Sequence, residues 1–91
     1  MSYIVNTTNH VEKALAKCIK RGLDVSLLKT AVRILSENGK LPPAYRPHKL
    51  SGRYSGYWEC HISSDWLLVW EQDDNRLTLL LITTGTHSDI F

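Results

Sequence analysis

The hydrophobic repeat of this chain changes period once, and a proline-rich segment marks the change. From Val11 to Leu35 the apolar side chains recur three and four positions apart, whereas from Arg53 onward they alternate every second position. Between the two lies Leu41-Pro42-Pro43-Ala44-Tyr45-Arg46-Pro47-His48, which holds all three prolines of the chain. Proline lacks a backbone donor and restricts the residue before it, so this segment reads as a stiff extended connection and places His48 on an ordered loop. The order is helices first and strands after, an α+β plan in which two N-terminal helices pack on a small antiparallel sheet.

Ahead of the first helix, Tyr3-Ile4-Val5-Asn6 is β-prone, and the Thr7-Thr8-Asn9 cluster supplies N-cap side chains. Val11, Ala14, Leu15, Cys18 and Ile19 form the buried stripe of helix one, which stops at Gly22. Asp24 caps a second helix with Val25, Leu28, Val32 and Leu35 inward, widened by Leu27, Ala31 and Ile34; Asn38-Gly39 closes it. Turn residues at 63–65 and 72–75 divide the remainder into three strands, giving β-α-α-β-β-β over a single domain of residues 1–91. A three-residue loop at 63–65 sets Ile62 opposite Trp66. It gathers Trp58, Cys60, Ile62, Trp66, Leu68 and Trp70 on the face the helices cover. Tyr57, Glu59 and His61 then share the other face with Leu67 and Val69, and Asp65 lies in the turn just beyond His61. The last strand, Leu77 to Thr83, is apolar on both faces, as a central strand requires.

A chain of 91 residues buries one modest core and leaves no room for a separate cofactor domain, so no cofactor is expected. The net charge of +2 conceals a division. Residues 1–53 hold ten of the eleven basic residues and three of the nine acids, a balance of +7, and the rest of the chain stands at −5. A basic surface of that kind suits phosphate, although solvated helix faces also carry Lys and Arg. Cys18 and Cys60 form neither a metal-type pair nor a disulfide scaffold and read as small buried groups. No apolar run reaches membrane-spanning length and no signal-peptide layout opens the sequence, so the expected location is cytoplasmic, away from membranes.

Three of the four histidines, His48, His61 and His87, fall in the C-terminal half with Asp65. Cleaving a phosphodiester through the ribose 2′-hydroxyl needs a base for that hydroxyl, an acid for the departing 5′ oxygen and positive charge near the phosphate. Imidazole, with an ordinary pKa of about 6.5, fills either proton role near neutrality. An aspartate can hold one such ring in its useful tautomer. Each group also has a blander reading: His61 as a surface residue, His48 as a cap on loop amides, His87 as tail polarity. Trp66 reads first as core and second as a base-stacking ring; Phe91 either pins the tail or stacks. The same inventory matches zinc, yet His-x-x-x-His and Cys-x-x-Cys are both missing, so no metal is expected.

One set of spaced residues goes further: Leu41-Pro42, then Tyr45-x-x-His48-x-Leu50-x-Gly52-x-x-x-Gly56-Tyr57-x-x-x-His61-x-x-x-Asp65-Trp66, and Thr84-Gly85-Thr86-His87 with Phe91. This pattern resembles the YafQ-type toxins of the RelE superfamily from residue 41 to the end. The resemblance implies helices packed on an antiparallel sheet and a ribosome-dependent endonuclease that cuts mRNA in the A site. It places catalytic roles on His48, His61, Asp65 and His87 and RNA contacts on Trp66 and Phe91, and it implies a cognate antitoxin partner. Where that family usually carries an arginine, this chain has Thr83. The phosphate charge is then expected from Arg46, Lys49 or Arg53, with Arg53 favoured; the alternative is a module that binds ribosome or antitoxin without cutting.

Overall fold

In the computed structural model, which describes residues 2–91, the elements run β1 (Ile4–Thr7), α1 (Asn9–Lys20), α2 (Val25–Asn38), β2 (His48–Lys49), β3 (Trp58–Ser63), β4 (Trp66–Asp73), β5 (Thr78–Gly85) and α3 (His87–Ile90). The two long helices begin where side chains satisfy their open donors. Thr8 accepts the Val11 N–H at 3.0 Å and Asp24 accepts the Ser26 N–H at 2.9 Å. α2 ends on Gly39, whose φ of 71° lies in the left-handed region. The Tyr3 ring packs so close here that a Cβ on this glycine would stand 2.8 Å from it. Gly39→Ala is therefore expected to cost about 1–3 kcal/mol, from the strained φ and the overpacking together. It should lower the urea midpoint at unchanged slope; an unmoved midpoint would show that neither the φ nor the ring constrains this position.

The sheet has the order β1-β5-β4-β3-β2. Strands β3 to β5 form the expected antiparallel meander, the two-residue β2 adds a fourth strand that was not expected, and β5, with a neighbour on each side, is central. The edge strand departs from expectation, since β1 lies parallel to β5, with Ile4 opposite Thr78 and Thr7 opposite Leu81. The helical hairpin carries the chain to the far edge of the sheet, so the meander works back and its last strand arrives alongside β1 running the same way. A second correction concerns the hairpin turn. Trp58 stands opposite Trp70 and Cys60 opposite Leu68, as expected, but Ser63 pairs with Trp66 and leaves only Ser64 and Asp65 in the turn. A bulge between His61 and Ser63 takes up the odd residue, which keeps the faces unchanged. The proline segment is also less extended than expected: it coils into a 3-10 turn at Pro43–Tyr45 before the short β2.

One face of the sheet meets the helices. Val11, Cys18, Leu28, Ala31 and Leu35 pack there with Cys60, Trp66, Leu68, Trp70, Leu79 and Leu81. Full burial of each large aliphatic side chain contributes about 1.5–3 kcal/mol. Ile19 and Leu27, expected inside, lie at the margins of their stripes and are largely exposed. The other face carries a smaller cluster of Leu67, Val69 and Ile90, flanked by Leu50, Tyr54, Tyr57 and Ile82. Among the described residues no helix is long and apolar enough to cross a membrane.

Candidate active site

Sheet register explains how histidines from distant segments meet. His61 on β3 stands opposite Leu67 on β4, and Leu67 stands opposite Gly85 on β5. One row across the sheet thus leads from His61 to the strand end that launches α3, two residues before His87. The His61 and His87 rings lie 5.9 Å apart, centroid to centroid, tilted by 58°.

Asp65 turns out to serve His87 rather than its sequence neighbour His61. The His87 ring donates from Nδ1 to Asp65 Oδ1 at 2.7 Å, and the His87 backbone N–H donates to the same oxygen at 3.2 Å. The ring bond, followed by the backbone N–H, holds the Asp65 carboxyl below the usual carboxylate range. With Nδ1 committed to Asp65, the His87 tautomer is fixed and Nε2 is left to face a substrate, the division of labour by which a carboxylate prepares an imidazole for proton transfer. Asp65 and His87 meet because Asp65 occupies the two-residue turn and His87 opens a helix that folds back over it. That helix was not expected; Thr86 and Asp89 form a capping box that closes its first turn.

A second histidine–carboxylate pair, unforeseen in the sequence, lies further along the same face. β2 sets His48 opposite Glu59, and His48 Nε2 stands 3.2 Å from Glu59 Oε1. His48 Nδ1 donates to the Arg46 carbonyl at 2.8 Å, Arg46 itself being in the left-handed region at φ 49°. Glu59 is only 3% exposed, and its buried Oε2 has no hydrogen-bond partner among the described residues. His48 thus has one ring nitrogen bonded to a backbone carbonyl and the other beside a buried carboxylate. Strand alternation hid this pair: Glu59 read as an outward polar residue, and its partner comes from a two-residue strand behind the prolines. Glu59 precedes His61 by two on one strand face, so His48, Glu59, His61, His87 and Asp65 form one polar band.

The remaining expected residues divide. Arg46 shares with His61 a cavity of about 620 Å³ also lined by Tyr45, Ser63 and Ser64. Phe91 is 60% exposed, stacks edge-on against Tyr54 at 5.6 Å and lies 6.3 Å from the His87 ring. Arg53 is exposed on a 3-10 turn at Gly52–Tyr54. Lys49 follows His48 by one residue on β2 and so points to the opposite face, where its Nζ lies 5.6 Å from the Trp58 ring centroid. Trp66 is corrected from RNA contact to core: it is 1% exposed, and its Nε1 donates to Thr84 Oγ1 at 2.8 Å. Thr83 is buried, its Oγ1 3.0 Å from His10 Nε2 on α1. Cys60 lies fully buried, its thiol pushed up to about 12 by burial and then by the charge of Glu59, which leaves it inert as a nucleophile. No group of three or more His, Cys, Asp or Glu among the described residues is arranged to hold a metal ion.

A small helix-on-sheet protein with a histidine and aspartate band on its open face corresponds to known toxins. Residues 3–91 match the sequence model of a family described as the bacterial toxin of type II toxin-antitoxin system, YafQ. The mRNA interferase toxin YafQ of Escherichia coli strain K12 is 36% identical over 73 residues, which span 79% of this chain and 77% of that protein. Among solved structures, the E. coli DinJ-YafQ toxin-antitoxin complex superposes with a TM-score of 0.88 at 29% identity, covering 100% of this chain and 99% of the other. A metal-bound toxin from Helicobacter pylori gives a TM-score of 0.88 at 34% identity, covering both chains completely. The chain belongs to the YafQ family of type II toxin-antitoxin toxins.

Proposed function

We propose that this protein is an endoribonuclease that cuts mRNA on the ribosome, the toxin partner of a cognate antitoxin, acting in the cytoplasm where ribosomes translate. The observation that carries this reading is the approach of His61 and His87 to 5.9 Å, with Asp65 behind His87, so that one phosphodiester comes within reach of both rings. His61 removes the proton of the ribose 2′-hydroxyl; the oxygen attacks phosphorus, a 2′,3′-cyclic phosphate forms, and the bond to the 5′ oxygen breaks. His87, carrying a proton on each ring nitrogen, donates the one on Nε2 to that departing oxygen and keeps the one shared with Asp65. His48, its Nε2 engaged by Glu59, acts as a fixed dipole or charge near the phosphate rather than as the free base. Arg46, beside the His61 cavity, supplies the cation that Thr83 does not. Arg46 is preferred to the expected Arg53 because it lines the same cavity as His61. Phe91, exposed next to His87, offers a ring for a base to stack on. The names of the related proteins support the class of reaction and the antitoxin partner.

Purified protein added to ribosomes carrying a defined message is expected to produce codon-phased cuts that end in cyclic phosphate, and addition of the antitoxin encoded beside it should abolish them. Ribosome binding without scission would instead favour the non-cleaving module to which Thr83 points. A requirement for added metal would overturn the histidine mechanism.

A further inference from the structure

We infer that Arg21 and Asp89 form a latch that positions His87 for proton transfer, a role that rests on reading His87 as the acid. α3 spans four residues, too few for its own hydrogen bonds to hold it in water, so its orientation is set by what it touches. On its inner side Ile90 packs with Leu67 and Val69, and Tyr54 donates its hydroxyl to the Ile90 carbonyl at 3.3 Å. These contacts fix how deep the turn sits. Asp65, accepting the His87 N–H, ties down the turn's histidine side, and rotation about that tie is held by an anchor on the other side. His87 and Asp89 are two residues apart, a little over half a helical turn, and therefore point to opposite sides.

On the side away from the histidine band, Arg21 clamps Asp89 with both guanidinium nitrogens: Nη1 donates to Oδ2 at 2.6 Å and Nη2 to Oδ1 at 3.2 Å. Oδ2 also accepts the Thr86 N–H at 2.9 Å, which ties the clamp into the capping box. The hydrogen bond from Arg21, then that from the Thr86 backbone, keeps the Asp89 carboxyl well below the usual carboxylate range, so the pair stays ionic at any working pH. Arg21 is anchored in turn. It is the C-cap of α1, and the chain beyond it folds back so that Leu23 N–H bonds the Cys18 carbonyl at 3.1 Å, while Cys18 is buried in the core. Gly85 completes the fit, since a Cβ there, at φ 150°, would stand 2.8 Å from Asp89 Oδ2. Both partners are partly exposed, and pairs of that kind add little to global stability. A bidentate clamp does add direction, and it links the fixed end of α1 to the turn that aims His87.

Arg21→Ala, assayed in the full protein on programmed ribosomes, is expected to slow single-turnover cleavage about tenfold through misaimed geometry, with the half-saturating ribosome concentration unchanged. The His87 ring signals in nitrogen-detected NMR should broaden as the bond to Asp65 becomes intermittent, and Arg21→Lys should recover part of the rate. Asp89→Asn, which keeps an acceptor for Thr86 but loses the ionic partner, should behave like Arg21→Ala and stands in for it if that variant folds poorly. Wild-type rate with unaltered ring signals would overturn the latch. A loss carried by half-saturation alone would also overturn it, making Arg21 a phosphate contact. Should wild type fail to cut, or His87→Ala cut as well as wild type, the acid assignment itself fails, an outcome distinct from either.

Discussion

His87→Ala should reduce single-turnover message cleavage by about a hundred to ten thousand-fold, the usual worth of one well-placed acid. The fold should survive, because the ring is more than half exposed and its removal takes away one surface hydrogen bond to Asp65 and no buried apolar packing. The unfolding midpoint is thus expected to stay close to wild type while the rate collapses, which separates chemistry from stability. His87→Gln should fall nearly as far: its amide can still donate to Asp65 but has no proton to surrender to a departing oxygen. The measurement is quenched-flow cleavage on ribosomes with the variant in excess. A rate within a factor of two of wild type would remove His87 from the mechanism and leave its bond to Asp65 as a purely structural cap.

Trp66→Ala is the substitution with the largest expected effect on folding. Its ring is among the largest fully buried groups, packed in the helix-facing core, and truncating a buried Trp typically costs about 3–5 kcal/mol. Against a total stability of about 5–15 kcal/mol for a domain, that loss brings the protein near its unfolding threshold. Trp66→Phe restores most of the volume and loses the Nε1 bond to Thr84, whose hydroxyl still donates to the Leu67 carbonyl at 2.6 Å. It should therefore be folded and cut at close to the wild-type rate. The two variants distinguish core from RNA contact: a Trp66→Ala protein with wild-type thermal stability and no cleavage would return this ring to the substrate.

Most of the long elements were legible in the sequence because their signals are local. Thr8, Asp24 and Gly39 mark helix ends through side-chain and backbone chemistry that no distant contact needs to complete. The apolar alternation of β3 and β4 fixed their faces, and even the misjudged turn left Trp58, Cys60, Leu68 and Trp70 together, since a bulge absorbs one residue without rotating the rest. What the sequence did not convey depends on neighbours far along the chain. A four-residue strand such as β1 carries no information on its partner's direction. α3 is too short for a helical period, although Thr86 and Asp89 three residues apart do spell a capping box. The histidines and Asp65 stood out by chemistry alone, but which ring Asp65 serves depends on α3 folding back. Glu59 was passed over because a buried and an exposed carboxylate look alike at an alternating position. Lys49 is different: its placement beside His48 already implied the opposite face by simple alternation.

The parallel seam between β1 and β5 has a consequence for how the molecule comes into being. Those strands lie near opposite ends of the sequence, so their pairing has high contact order and must close one of the largest loops the chain can make. β5 is also the strand that completes the core and leads directly into the turn carrying His87. Insertion of β5 between β1 and β4 is thus expected to be a late event, and it finishes the hydrophobic interior and the meeting of His61 with His87 in one stroke. On the proposed reading, His61 and His87 come within reach of one phosphodiester only once β5 has taken its place in the sheet.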